Sequence, residues 1–269
     1  MADERKRYLA LQRELGGNEV ILSAPLGTPV RPSASPSARP PDRLTASPSA
    51  GPSVRRSAWL KSAPPIPTEP GLVVRAPDRG LMDPAPAWDN LDEVVRTIAG
   101  CRKCFLCEGR THTVPGEGDP RARLMFVGEG PGQTEDQTGR PFVGRAGELL
   151  TQIIEAIGLR REAVYIANAV KCRPPQNRKP LPDELAACWP YLERQIELIG
   201  PKVLVALGAT AAEALLQARR SLAELRGRVH SYRGVPLVVT YHPAALLRNP
   251  NWKKPTWDDV RIARQLLDR

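Results

Sequence analysis

Residues 124–132 read LMFVGEGPG, an apolar run that ends in a glycine-rich turn. Apolar runs recur downstream, in VYIANAVKCR at 164–173, VLVALGAT at 203–210 and LVVTYHP at 237–243. Continuous apolar runs rich in β-branched residues are strands buried on both faces, as in a parallel sheet covered by helices. Helical patterns fill the intervals at Ala146–Ile157, Pro182–Ile199 and Ala209–Gln217, with further helices at Leu91–Ala99 and from Trp257 to Leu267. This alternation predicts an α/β fold. In such sheets the ligand crevice lies outside the carboxyl ends of the strands. Gly128–Gly132, Asn168–Arg173, Gly208–Thr210 and His242–Pro243 all fall at such ends.

The chain has 269 residues, 41% of them hydrophobic, enough for one sizeable core plus additional sequence. Residues 1–23 are expected to hold a short amphipathic helix with Tyr8, Leu9, Leu11 and Leu15. Residues 24–87 are expected to be a disordered linker: 15 of the 29 prolines lie between Pro25 and Pro86, among Ser, Ala and Arg. Such a composition buries too little apolar surface to offset its ordering entropy. The globular domain is therefore placed at 88–269. The formal charge of +10 suits a polyanionic partner, because Lys and Arg displace counterions from phosphates. The first 80 residues hold 12 Lys+Arg and 7 Asp+Glu, so the domain is basic in its own right. No apolar run reaches the roughly 20 residues of a spanning helix. The opening MADERKRY is no signal peptide. A cytoplasmic, nucleoid-associated address is expected, where cysteines are reduced and serve metals or catalysis before disulfides.

Five cysteines are present: three in CRKCFLC at 101–107, then Cys172 and Cys188. A C-x-x-C with two distant cysteines supplies four thiolates, enough for tetrahedral zinc or a four-iron cluster, and spacing does not separate the two. One cysteine is left over.

The run CRKC, EGRT, VPGEGDPRARLMFVGEGPGQTEDQTGRPFVGRAG, VYIANAVKCRPPQNRKP, ALG and GRVHSYRGVPLVVTYHPAALLRNP resembles the iron–sulfur, family-four uracil-DNA glycosylases, from about Cys101 to Leu267. The resemblance implies a four-stranded parallel sheet between helices, as a three-layer sandwich, and a 4Fe–4S cluster. It implies hydrolysis of the uracil N-glycosidic bond, a base-excision-repair activity. The cluster ligands fall on Cys101, Cys104, Cys172 and Cys188, and Cys107 matches no required ligand. The expected partner is uracil-containing DNA, single- or double-stranded. No membrane partner is expected, a monomer is expected, and the arm is open to a protein partner.

The candidate site follows residue by residue. Gly128, Gly130, Pro131 and Gly132 bring backbone close to a ligand after the first strand. In the wider superfamily the third position of GEGPG is often an aspartate that orients water. Here it is Gly130, which leaves Glu129 and Glu135 as candidate water-positioning groups. Phe142, one of three phenylalanines, lies in a loop, an odd place to leave one for core packing; the resemblance puts its ring on the extruded uracil, with core packing as the alternative. The Asn168 amide complements uracil O4 and N3–H, a pattern that cytosine reverses. His242 is expected to donate to uracil O2, where negative charge grows as the bond breaks. Leu246 or Leu247 is a candidate wedge into the duplex, with Arg248 near phosphate. Arg173, Arg178, Lys179, Lys253 and Lys254 are further candidate phosphate contacts.

Two rival readings exist. A non-turnover binder of the same superfamily links covalently to DNA through a histidine in the loop after strand two. Here that loop reads RPPQNRKP (173–180) and holds no histidine. A zinc-stabilised nucleotide-binding module would leave Phe142, Asn168 and His242 at strand ends without a shared purpose.

Overall fold

A computed structural model describes residues 63–76 and 88–269. The helix expected at 1–23 lies outside the described residues, as does most of the linker. Seven strands form one sheet: β1 (Pro70–Val74), β2 (Glu117–Gly118), β3 (Leu124–Gly128), β4 (Tyr165–Asn168), β5 (Val203–Leu207), β6 (Val229–Tyr232) and β7 (Val235–Thr240). Their order is β1-β6-β7-β5-β3-β4-β2. The helices are α1 (Leu91–Ala99), α2 (Leu106–Gly109), α3 (Gln133–Thr138), α4 (Arg145–Ala156), α5 (Pro182–Ile199), α6 (Ala209–Leu216), α7 (Leu222–Leu225), α8 (Pro243–Arg248) and α9 (Lys253–Leu267). None of the described helices is long and apolar enough to cross a membrane.

The four expected strands are the contiguous, mutually parallel centre β7-β5-β3-β4. Successive side chains of a strand point to opposite faces, so each apolar run feeds two cores. Leu124, Phe126, Val203 and Val205 pack with Leu150, Ile154, Trp257 and Val260 of α4 and α9. Met125, Val127, Leu204 and Ala206 pack with Leu192, Ile196, Ala212 and Leu215 of α5 and α6. Every residue of β3 and β5 is buried. Each large apolar side chain so placed contributes roughly 1.5–3 kcal/mol, which is why no polar alternation is tolerated there. A third cluster joins Val94 and Ile98 of α1 to Tyr191, Cys172 and Cys188.

The sheet is wider than four strands. Antiparallel β2 adds to β4, antiparallel β6 to β7, and β1 runs parallel to β6. The placing of residues 24–87 in a disordered linker is thereby corrected at 70–74, which form the edge strand. Leu72 and Val74 pack against the second core and Ile66 against the first. Gln265 Nε2 donates to Pro64 O at 2.8 Å. The Leu72 N–H donates to His230 Nδ1 at 2.9 Å, while Nε2 of the same ring lies 2.7 Å from Leu225 O. One nitrogen accepts and the other donates, so the buried imidazole is neutral, and burial lowers its pKa. Gly71 is obligatory at this contact, since a Cβ there would come within 2.3 Å of Val229 O.

Candidate active site and cysteine cavity

The register sets the site. Gly128 lies beside Asn168, and Leu207 lies beside Thr240, so the parallel strands end along one line. Beyond that line opens a cavity of about 390 Å³. Its lining includes Glu129–Gly132, Glu135, Phe142, Asn168, Thr210, His242 and Arg248. The predicted catalytic and substrate-binding residues other than Gly128, together with Arg248, therefore meet in one place, whereas Leu246, Leu247 and Arg173 are not among its lining.

Asn168 is 1% exposed, and its Oδ1 is buried without a hydrogen-bond partner. An unmade bond of this kind costs about 1–3 kcal/mol and marks an acceptor held ready for a ligand donor. Gly128 makes this placement possible: a Cβ there would stand 2.4 Å from Asn168 Oδ1 and 2.5 Å from Phe142 Cζ. Phe142 itself has φ of 50°, in the left-handed region that a phenylalanine rarely occupies. Gly147 of α4 permits that backbone, since a Cβ would fall 1.9 Å from the Phe142 carbonyl carbon. Backbone held in so sparse a region is a feature of functional sites. The Phe142 and His242 rings lie 5.5 Å apart with a 34° tilt, and form one wall of the cavity.

His242 is the N-cap of α8, and its Nδ1 accepts the Ala244 N–H at 3.2 Å. An accepting Nδ1 leaves the proton of a neutral ring on Nε2. Burial pushes the imidazole pKa down to about 4, and the nearby Arg248 guanidinium pushes the same way. The ring is thus a neutral donor at working pH. Gly208, at φ of 89°, lets His242 approach; a Cβ there would sit 3.1 Å from the His242 Cβ.

The two glutamates stand differently. Glu135 Oε1 accepts the N–H groups of Val143 at 2.9 Å and Gly144 at 2.8 Å, and Oε2 accepts that of Gly132 at 3.1 Å. It braces the GEGPG turn against the Phe142 turn. Glu129 accepts a short hydrogen bond from Thr210 Oγ1 across the cavity mouth. In the 173–180 loop, Arg178 lines the cavity and grips the buried Glu184 carboxylate with two bonds, at 2.7 and 2.8 Å. The Arg178 bonds hold that carboxyl below its ordinary pKa. Arg173 Nε donates to Asn177 Oδ1 at 2.8 Å.

The wedge expectation is narrowed. Leu246 is fully buried in the first core and is removed from the candidates for DNA contact, whereas Leu247 is 43% exposed. Arg248 stays at the cavity wall. Lys254 pairs with Asp258 at 3.4 Å, and neither it nor Lys253 lines the cavity.

All five cysteines line a second, smaller cavity on the α1–α5 side of the sheet, with Arg110, Lys171 and Tyr191. Arg110 Nη1 donates to Cys172 Sγ at 3.2 Å and to Cys101 O at 2.8 Å. The Lys171 backbone N–H donates to Cys188 Sγ at 3.3 Å. Burial raises the thiols of Cys104 and Cys172, and takes Cys188 to about 11. A half-enclosed cavity with N–H donors aimed at sulfur suits bound thiolates, whose charge a metal neutralises. No group of three or more His, Cys, Asp or Glu side chains lies close enough to hold a single metal ion among the described residues. The sequence reading passed over Lys171, Gln195, Asn177 and Arg110. A lysine inside the apolar run AVKC was the available signal for the first.

The fold and the pocket together define an α/β protein whose strand-end cavity is lined by a phenyl group, a carboxamide and an imidazole. The family model described as the uracil DNA glycosylase superfamily matches residues 115–263. The type-4 uracil-DNA glycosylase of Thermotoga maritima is 51% identical over 186 residues, which cover 67% of this chain and 97% of that protein. The type-4 uracil-DNA glycosylase of Sulfurisphaera tokodaii is 48% identical over 187 residues, 66% of this chain and 85% of that protein. A type-5 uracil-DNA glycosylase from Thermus thermophilus is 39% identical over 170 residues, 54% of this chain and 75% of that protein. The chain belongs to the uracil DNA glycosylase superfamily, in its type-4 branch.

Proposed function

We propose that this chain excises uracil from DNA by hydrolysing the N-glycosidic bond, with the base extruded into the cavity at the strand ends. The observation that carries the reading is the buried, unpartnered Asn168 Oδ1 beside the ring of Phe142. A uracil edge satisfies that oxygen through N3–H, and the amide nitrogen then meets O4. Cytosine presents an acceptor at N3 and a donor at N4, so both contacts become repulsive. Phe142 provides the stacking surface. His242 Nε2–H donates to O2, where charge accumulates as the bond lengthens, a contact that strengthens only towards the transition state.

Glu129 is the better candidate for orienting the attacking water, because three backbone N–H groups already engage Glu135. Leu247 is assigned to the vacated stack, and Arg248 and Arg173 to the DNA backbone. Cys101, Cys104, Cys172 and Cys188 are assigned as ligands of a 4Fe–4S cluster, with Cys107 beside them. The donors to Cys172 and Cys188 and the gathering of these cysteines around one cavity support that assignment. When bound, the cluster ties the end of α1 to α5 and to the segment after β4, and it takes no part in bond cleavage.

The test is incubation with a single-uracil oligonucleotide, followed by alkali. Strand cleavage at the uracil alone is expected, and an intact strand after prolonged incubation with folded, iron-loaded protein would refute the proposal.

A further inference from the structure

Among the buried groups, one costs folding energy that no role so far explains. Lys171 is 1% exposed, three residues past Asn168. Its ammonium donates to Asn168 O at 2.9 Å and to Gln195 Oε1 at 2.6 Å, both neutral oxygens. A buried cation without a carboxylate is expensive, and a methionine would fill the same space at no such cost. The hydrogen bonds around it show what the charge is for. Past Asn168, the chain keeps two more ladder bonds to β3: Ala169 N–H to Gly128 O at 2.9 Å and Val170 N–H to Glu129 O at 3.1 Å. Asn168 O points the opposite way from the Ala169 N–H, and there its donor is the ammonium. Gln195 is fixed in turn, its Nε2 donating to Pro115 O at 2.8 Å. The Lys171 backbone meanwhile donates to Cys188 Sγ and accepts from Val114 N–H at 2.8 Å.

We infer that Lys171 is a positioning residue for base recognition: its ammonium clamps the Asn168 peptide to α5 and so aims the Asn168 amide at the uracil edge. The side chain borders the cysteine cavity but not the strand-end cavity, and touches no substrate atom. Its effect on the base runs through Asn168. The inference rests on the uracil-excision reading, and it adds an identifiable origin for the rigidity of the reading group. A misplacement of about 1 Å at a reacting centre can cost on the order of 100-fold in rate, which sets the scale expected on losing the clamp.

The test compares Lys171→Met with the parent in single-turnover excision of uracil and of 5-fluorouracil from the same oligonucleotide sequence. DNA affinity, iron content and thermal midpoint are measured alongside. The fluorinated base is the better leaving group and depends less on hydrogen bonds to its edge. The expected result is a loss of about 10–100-fold on uracil, a distinctly smaller loss on 5-fluorouracil, and DNA affinity within threefold of the parent. A purely structural defect lowers the active fraction and so reduces both rates by one factor; equal losses, or no loss, overturn the inference. If Lys171→Met does not fold, Gln195→Met decides: it removes the second anchor of the ammonium and should show the same unequal loss at smaller size. A folded Gln195→Met with equal effects on both bases overturns it as well. A parent that excises neither base would instead refute the excision reading itself.

Discussion

His242 should remain neutral far below the pH at which an ordinary histidine charges, and uracil excision should follow it. The ring accepts the Ala244 N–H through Nδ1, and a proton on Nδ1 would set two donors against each other at the start of α8. Burial and Arg248 together put the pKa at about 4. At pH 5 about 90% of such a ring is neutral, against about 3% for a free imidazole of pKa 6.5. Between those pH values the folded ring resists a proton that the unfolded chain takes up. Neutrality therefore supports folding above pH 6.5, and that support is lost as pH falls towards 4. The loss is at most about 3 kcal/mol, and smaller in practice because the ring borders an open cavity. The assay is nitrogen-15 histidine NMR from pH 4 to 8, with the three histidines assigned by substitution, alongside single-turnover excision. The expected signal is an Nε2-protonated tautomer that holds to about pH 5. A His242 titration near 6.5, or an Nδ1-protonated ring, would refute the donor assignment.

Replacing Asn168 with Asp puts an acceptor against uracil O4; a large loss of uracil excision with at most trace action on cytosine is expected, and unchanged uracil preference would remove the base-reading role. Gly128→Ala places a methyl within 2.5 Å of Asn168 Oδ1 and the Phe142 ring; excision should fall by more than about 100-fold while DNA affinity changes little, measured by single turnover and anisotropy. Cys107→Ala should keep its iron, and Cys188→Ala should lose it along with the visible absorbance; the reverse pattern by metal analysis would show the ligand set to be wrong. Deletion through residue 62 should leave the thermal midpoint unchanged, whereas deletion through residue 86 strips β1 from the edge and should lower it by several degrees while excision of short substrates persists. Equal midpoints for the two truncations would mean that β1 contributes nothing to the fold.

The centre of the fold was legible because a strand buried on both faces has no choice but an unbroken apolar run. β3, β4, β5 and β7 announce themselves in that way, and the residues that follow them assemble the cavity. The flanking strands obey looser rules. β6 reads VHSY, half-exposed and half-polar, and β2 is two residues long. β1 sits among prolines and is held by what it meets, above all His230, which no local pattern reveals. The wedge illustrates the same limit: Leu246 and Leu247 are equivalent in sequence, and only the phase of α8 buries one and exposes the other. Lys171 was passed over for the opposite reason, since a charge in an apolar run reads as a solvated interruption until its partners are seen.

The edge strand has a consequence for synthesis on the ribosome. Leu72 and its acceptor His230 are 158 residues apart. At about 5–20 residues per second, residues 70–74 leave the exit tunnel roughly 8–30 seconds before their pairing partner exists. The rest of the sheet is then almost complete, so β1 is a late piece to be added, at a large loop-closure cost. Pro70 and the prolines at 64, 65 and 67 carry no N–H donor, which limits the ladder the segment can offer a neighbouring nascent chain meanwhile.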